Sequence, residues 1–188
     1  MSPRRGSADG RNSPAAPEAL DSHKLRKLME RARELNVPDE QFFRVLAHAP
    51  NYAEALFEAM HQSHALGTVD HKLKEIIRVQ LARLAGDPYF AALRSNVALA
   101  AGLTEETIEA GCGDFENDAR FSEAEKWALR YGYWMYREPG RVNAKFYDEG
   151  KKHYSEAEIV ELGAFIALHY GLQVFMRTLK LNPAAAKE

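Results

Sequence analysis

The sequence predicts an all-α protein, with one helical domain behind a short tail. Three observations support this fold class. Apolar residues recur every three or four positions through most of the chain after residue 20, which is the period of an amphipathic helix. Two capping boxes, Ser122-x-x-Glu125 and Ser155-x-x-Glu158, open the segments richest in large apolar side chains. No segment alternates apolar and polar residues as a half-buried strand does.

The N-terminal third of the chain divides into a tail and three helices. Residues 1–20 are rich in proline, serine, glycine, alanine and arginine, so we expect them to be disordered. Residues 21–188 then form a single domain, because 188 residues with 46% hydrophobic content suit one core. Asp21 and Ser22 cap the first helix, and Asn51-x-x-Glu54 is a variant capping box for the third. The expected helices cover residues 21–37, 39–49 and 51–67.

Two central helices follow, and they are joined at a tight break. Gly86-Asp87-Pro88 interrupts the helical pattern, and Asp87 is a good N-cap while Pro88 suits the first helical position. We therefore expect one helix over residues 72–85 and a second, continuous helix over residues 88–102. The first is expected to bury one apolar face, with His71, Glu75, Arg78 and Ala82 on the opposite stripe.

The C-terminal half predicts four more helices. Thr104 caps a short one that ends at Ala110, and a glycine-containing loop with Cys112 follows it. The helix after Ser122 carries a dense aromatic band between Trp127 and Tyr136, which indicates core or interface packing, or else the wall of a pocket. The last helix is apolar nearly all round, so we expect it in the core or at a subunit interface. These helices cover residues 104–110, 122–138, 143–154 and 155–181.

Composition excludes several classes of function. The net charge is −2 without a basic patch, so no nucleic-acid partner is expected. No apolar run is long enough to favour a membrane span, and the first residues lack a signal peptide, so we expect a cytoplasmic protein. Cys112 is the one cysteine in the chain. It has no second thiol to pair with, and we interpret it as an ordinary loop thiol.

The central pair of helices carries a resemblance to a known family. Glu75, ten further residues and Gly86-x-x-Tyr89 precede an alanine-rich helix that closes on Ala101-Gly102-Leu103-Thr104. This pattern is similar to the carboxymuconolactone decarboxylase / alkylhydroperoxidase D family over about residues 42–181. The resemblance implies a compact helical bundle of the alkylhydroperoxidase D-like type. It also implies a homo-oligomer, a trimer or a hexamer.

The chain departs from that family at its redox motif. Redox members of the family carry Cys-x-x-Cys-x-x-x-His twelve residues after the glutamate, and here Asp87, Phe90 and Arg94 stand at the two cysteines and the histidine. Reduction of peroxides by that mechanism needs a thiolate and a resolving thiol. We therefore expect thiol peroxidase activity to be absent, although the family resemblance suggests it.

Glu75 and Arg94 are the candidate catalytic residues. The resemblance places Glu75 beside a pocket at the helix break, where a carboxylate can act as general acid or base. Arg94 can hold a substrate carboxylate through its guanidinium fork. Periodicity alone favours simpler roles for both: a solvent-exposed pair between Glu75 and Arg78, and an exposed salt bridge from Arg94, for example to Asp87.

Four further residues are candidate substrate-binding residues. Tyr89 can donate a hydrogen bond to a substrate oxygen, or simply pack in the core with its hydroxyl at the edge. Asp87 lies at a helix N-terminus, a position that favours anions. Phe90 makes the expected pocket more apolar than a thiol would. His169 on the last helix can line the same pocket, or be a hydrogen-bonded core residue.

No metal ion or other cofactor is expected. His61, His64 and His71 lie close in sequence, but there is no His-Glu-x-x-His pattern, and we interpret them as surface or helix-end histidines. The glycine-rich phosphate-binding motifs and the Gly-x-Ser-x-Gly nucleophile motif do not occur in the sequence.

Two functional hypotheses follow. The first is a cofactor-independent, decarboxylase-like enzyme that acts on a small organic acid by lyase, decarboxylase or isomerase chemistry. The second is a non-catalytic small-molecule-binding protein or oligomeric scaffold that kept the fold without the redox cysteines. An enclosed, water-accessible pocket that contains Glu75, Arg94 and Tyr89 would favour the enzyme, and a corner filled by Phe90 would favour the second hypothesis.

Overall fold

A computed structural model describes residues 23–181, and all regular secondary structure within that range is helical. The predicted all-α class is therefore confirmed. The expected tail over residues 1–20 and the cap at Asp21 and Ser22 lie outside the described range. A π-helical turn, His61–Ala65, continues directly from the third helix, and short 3-10 turns cover Phe115–Asn117 and Pro139–Arg141. The α-helices are α1 His23–Leu35, α2 Glu40–Leu46, α3 Pro50–Met60, α4 His71–Ala85, α5 Pro88–Ala92, α6 Asn96–Ala100, α7 Glu105–Cys112, α8 Glu123–Arg137, α9 Ala144–Gly150 and α10 Glu156–Thr178.

Helix α4 is the centre of the fold. It packs against α10, α5, α7 and α8, so almost every face of it is covered. The expectation of a polar stripe turned away from the core was wrong, because Glu75, Arg78 and Ala82 are all fully buried. The polar side chains on that stripe are satisfied by one another and by nearby backbone groups rather than by water.

Apolar side chains form two clusters around α4. One gathers α1 to α3 around α5 and includes Phe42, Phe43, Tyr89 and Phe90. The other gathers α8, α9 and α10 around Trp127, whose indole N–H donates to the carbonyl of Phe146 at 3.0 Å. The aromatic band of α8 is therefore mainly core.

Caps fix most helix starts where the sequence places them. Both capping boxes form, at Ser122 and at Ser155. Two expectations need correction. Helix α3 begins at Pro50 without a side-chain cap, so Asn51-x-x-Glu54 is no capping box. Helix α7 extends to Cys112, whose thiol is half-buried rather than in a flexible loop, and burial raises its pKa to about 11.

The expected continuous helix over residues 88–102 is broken in two. Helix α5 ends at Ala92, Leu93 is extended, and Ser95 caps a separate α6. In α6 the side chain of Val97 is 45% exposed, whereas Ala98 is fully buried. The groups that hold this break open come from α4.

Helix α10 lies between α4 and solvent. Among the described residues it is the one helix long and apolar enough to cross a membrane by length and composition. Its contacts with α4 and its buried face identify it as a core helix of this bundle. Val160, Val174 and Phe175 remain exposed on the opposite face. The sequence predicted this helix in the core or at a subunit interface, and its contacts with α4 place one face of it in the core.

Candidate functional site

A fully buried ion pair between Glu75 and Arg78 lies under the corner between α5 and α6. The Nε of Arg78 donates to Glu75 Oε2 at 2.7 Å, and its Nη2 donates to Glu75 Oε1 at 2.8 Å. Neither side chain is exposed. Such a bidentate pair is short and strongly oriented.

The same ion pair holds the corner in place. The guanidinium of Arg78 also donates to the carbonyl of Phe90 at 2.7 Å and to that of Leu93 at 2.6 Å. Glu75 Oε1 accepts from the backbone N–H of Ser95 at 2.8 Å. These are backbone groups that a continuous helix would have paired internally, so the break costs no unsatisfied group at these three positions.

Two buried imidazoles extend the polar cluster. The π-helical turn places His64 so that its Nε2 lies 3.0 Å from Glu75 Oε2, off the direction of a well-formed hydrogen bond. The His64 ring also packs edge-on against His169, with centroids 5.4 Å apart. His71 bridges the carbonyl of His64 and the hydroxyl of Ser95, at 2.8 and 2.7 Å.

At pH 7, Glu75 and Arg78 are both charged, and the imidazoles of His64 and His169 are neutral. Burial alone would raise the pKa of Glu75, but the charge and hydrogen bonds of Arg78, helped by His64, hold that pKa well below its usual range. Burial lowers the pKa of His64 to about 4, only partly offset by Glu75. Burial, and then the neighbouring His64, also lower the pKa of His169 well below its ordinary value. A carboxylate held ionised in this way is not a general acid near neutral pH.

Two polar atoms beside this cluster have no partner among residues 23–181. They are His169 Nε2 and Gln173 Oε1, one turn apart on α10 and both buried. The amide nitrogen of Gln173 donates to the backbone carbonyl of Arg78 at 3.0 Å, which holds this side chain against the backbone of α4. Unpaired buried polar atoms of this kind are uncommon, and strain, a catalytic role, or an ordered water or ion can account for them.

The structure does not bring Arg94 together with Glu75. The Arg94 guanidinium turns outward to the carboxylate of Glu105, at 2.7 and 3.0 Å. It also donates to the carbonyls of Ala91 and Leu93. The simpler interpretation, a salt bridge, describes Arg94, although Glu105 rather than Asp87 is the partner. Likewise, Glu75 does pair with Arg78, but in the interior rather than in solvent.

The candidate substrate-binding residues at the corner are occupied by packing. Phe90 has no exposed surface and lies against Phe42 and Tyr89, with ring centroids 5.8 and 5.0 Å away. The Tyr89 hydroxyl donates to Asp39. Asp87 accepts from the backbone N–H groups of Tyr89 and Phe90, as an N-cap does. His169 is 1% exposed and belongs to the buried cluster.

Sequence reasoning missed His64 and Lys74. His64 and His61 were expected at the surface or at a helix end, and both lie buried in the π-helical turn that continues α3. Lys74 is also buried, and its ammonium donates to the carbonyls of Ser63 and Leu66 and to Glu161 at 2.8 to 3.0 Å. Local periodicity carries no signal for either residue, because their partners come from other segments. No group of three or more His, Cys, Asp or Glu within residues 23–181 is arranged to hold a metal ion.

Comparison with solved structures identifies the architecture. The debrominase Bmp8 in its apo form matches with a TM-score of 0.77 and 20% identity over 93% of this chain and 92% of that one. A Bmp8 variant with a cysteine replaced by alanine, in complex with 2,3,4-tribromopyrrole, matches with a TM-score of 0.78 at the same identity and coverage. An alkylhydroperoxidase AhpD core protein, an uncharacterized peroxidase-related protein from Ralstonia eutropha JMP134, matches with a TM-score of 0.74 and 14% identity over 93% of each chain.

The chain has the alkylhydroperoxidase D-like fold. The resemblance read from Glu75 and the Gly86 corner is therefore confirmed for the fold. No protein-family model matches the sequence, and no curated protein matches it.

Proposed function

We propose that this alkylhydroperoxidase D-like protein binds a small organic acid without catalysing thiol redox chemistry. The closed corner supports the proposal. Phe90 fills the place where the family's redox members carry a cysteine, and both oxygens of Glu75 are engaged by Arg78. Chemistry at this corner would require breaking a buried ion pair, which costs several kcal/mol.

The lone thiol gives no support to a cysteine-dependent activity. Cys112 lies at the end of α7, and burial raises its pKa to about 11, so the thiolate is scarce at neutral pH. In the Bmp8 complex with 2,3,4-tribromopyrrole, one cysteine of Bmp8 is replaced by alanine. We propose neither debromination nor peroxide reduction for this chain.

The test combines binding with turnover. A panel of small carboxylic acids is screened by thermal shift, and each is then assayed for decarboxylation, isomerisation or lyase products. Organic hydroperoxide reduction is assayed in parallel. We expect stabilisation by at least one acid, since a ligand that binds only the folded state raises its apparent stability. Turnover of a bound acid, or peroxide reduction that is lost in Cys112→Ser, would refute the proposal.

A second candidate is the decarboxylase-like enzyme. It is favoured by His169 Nε2 and Gln173 Oε1, two unpartnered buried atoms beside an ionised carboxylate. In this version the neutral imidazoles of His64 and His169 move the proton. Arg94 does not hold the substrate carboxylate in this mechanism, because its guanidinium already pairs with Glu105. Activity that disappears in His169→Phe and persists in Arg94→Ala would favour this enzyme.

The assembly we propose is a cytoplasmic homo-oligomer, a trimer or a hexamer. Its support is the exposed apolar face of α10, where Val160 is 69% exposed and Val174 and Phe175 add to the same side of the molecule. Apolar faces of this kind usually mark interfaces.

A further inference from the structure

We infer that a cavity between α4, α7 and α8 binds a small monocarboxylic acid, with Lys72 as its anchor. This inference rests on the proposed function and gives the bound acid a location away from the closed corner. The cavity has a volume of about 240 Å³. It lies where the first turn of α4, the turn before α7 and the start of α8 meet.

The floor of the cavity is apolar. Leu73 and Ile76 from α4, Leu103 before α7 and Phe121 before α8 line it, and each is less than a tenth exposed. A ligand that fills this space buries hydrocarbon or an aromatic ring. The volume is below the roughly 300–1,000 Å³ of pockets for drug-sized ligands, so the body of the ligand is small.

Two carboxylates on the rim are each held at a helix N-terminus. Asp70 accepts from the backbone N–H of Leu73 at 3.0 Å as the N-cap of α4. Glu125 accepts from the N–H and hydroxyl of Ser122 at 2.8 and 2.7 Å, within the capping box of α8. Each carboxylate therefore already faces the positive end of a helix, which balances part of its charge.

The two cations on the rim differ. The Arg120 guanidinium binds the carboxylate of Asp118, at 2.6 to 3.1 Å, and also reaches the carbonyl of Glu106. Lys72 lines the cavity, is partly buried, and forms no hydrogen bond or ion pair with the other described residues. Its ammonium is the one charge on this rim without a partner in residues 23–181.

One free cation above an apolar floor fits a monocarboxylate. A second carboxylate on the ligand would meet Asp70 or Glu125, which line the same cavity, and like charges repel. An aromatic or branched aliphatic acid with one carboxylate combines the required charge with the required apolar body. A neutral analogue of the same shape lacks the ion pair with Lys72.

The experiment uses the full chain and benzoate as the probe, with benzyl alcohol and phthalate as the neutral and doubly charged comparisons. Calorimetry or chemical-shift titration measures the dissociation constants. We expect benzoate to bind more tightly than either comparison. In Lys72→Met, which keeps most of the apolar stem, benzoate should bind about tenfold or more weakly, because a charge-assisted hydrogen bond is lost.

Two further variants complete the test. Lys152→Met removes an exposed lysine after α9 and should leave benzoate binding unchanged. Thr107→Phe keeps Lys72 but fills the cavity, since Thr107 lines it, and should abolish binding while the melting temperature confirms folding. Equal benzoate affinity in wild type, Lys72→Met and Thr107→Phe would refute the site, and the proposed function would stand elsewhere in the molecule. If no acid of the panel binds the wild type, both proposals fail, whereas turnover of benzoate would overturn only the proposed function.

Discussion

Glu75 connects three groups in the interior of the protein. It neutralises Arg78, contacts His64 and accepts from the N–H of Ser95, with no exposed surface of its own. Buried ion pairs of this kind add little net stability compared with apolar packing, but removing one partner strands the other charge. The main role of Glu75 in this fold is therefore structural.

Glu75→Gln tests that role. We expect the free energy of unfolding to fall by about 3–5 kcal/mol, because Arg78 stays buried without its counter-charge. Urea denaturation measures the change. The matched control is Glu105→Gln, which removes the partner of Arg94 from an exposed pair and should cost less than about 1 kcal/mol. A cost for Glu75→Gln as small as that of the control would contradict the structural role.

His64 should make stability depend on pH. Burial lowers its pKa to about 4 in the folded protein, against about 6.5 in an unfolded chain. The unfolded state therefore takes up the proton first, and stability falls as the pH drops from about 6.5 towards 4. At about 1.4 kcal/mol per pH unit, that interval is worth about 3 kcal/mol.

Denaturation at several pH values above about 5 separates this effect from the carboxylates, which titrate lower in unfolded chains. His64→Gln should reduce the slope of stability against pH, and the remaining slope should come from His169 and His61, whose pKa values are shifted in the same direction. His153→Gln, at an exposed site after α9, should leave the slope unchanged. An unaltered slope in His64→Gln would show that this ring is not buried neutral.

The sequence predicted only part of this buried ion pair. It allowed a Glu75–Arg78 pair through their spacing of three residues, but it could not place the pair in the interior. Burial depends on α5, α7, α8 and α10 covering α4, and no local pattern encodes that. The same reason explains Lys74, a charged residue that its own helix gives no cause to bury.

Helices in this fold are set by two kinds of signal. Capping residues act locally, and those at Ser122, Ser155 and Thr104 form as the sequence predicts. The break between α5 and α6 is set by tertiary contacts, because Arg78 of α4 binds the carbonyls that the break frees. Sequence reasoning therefore found the break between α4 and α5 at Pro88. It missed the second break, between α5 and α6, where Ser95 caps α6.

The close packing of α9 against Trp127 of α8 can be tested by adding a methyl group at Gly150. A Cβ on Gly150 would overlap the indole ring of Trp127, which is fully buried. We expect Gly150→Ala to destabilise the protein by about 1–3 kcal/mol, since overpacking forces the ring or the helix to move. Gly140→Ala is the control, because nothing lies within 4 Å of a Cβ there. Differential scanning calorimetry compares the two, and equal melting temperatures would contradict the close approach of α9 to Trp127.

The whole molecule presents one side of α10 to its surroundings. Val160, Ala164, Ala167, Gly171 and Val174 recur at alternating spacings of four and three, and all are exposed. That spacing forms a single stripe along the helix, which is the pattern for packing against another helix. The sequence predicted an apolar surface on this helix, and only the structure separates the stripe from the residues that face α4.

Light scattering coupled to gel filtration tests whether this stripe joins copies of the chain. The double variant Val160→Lys/Val174→Lys should reduce the molar mass to that of a smaller species, because charges would have to be desolvated at the interface. Tyr52→Lys changes an isolated residue that is 70% exposed and should leave the mass unchanged. An unaltered mass in the double variant would remove α10 from the interface.

The packing of Phe90 also limits which substitutions the break between α4 and α5 can accept. Placing cysteines at positions 87 and 90 would create the Cys-x-x-Cys spacing, but Phe90→Cys would empty a fully enclosed aromatic site at a cost of about 3–5 kcal/mol. Asp87→Cys would add the loss of an N-cap, about 1 kcal/mol. Together these losses, about 4–6 kcal/mol, reach the lower end of the stability of a typical domain, about 5–15 kcal/mol. Thiol chemistry at these two positions would therefore need compensating changes in the surrounding aromatic residues.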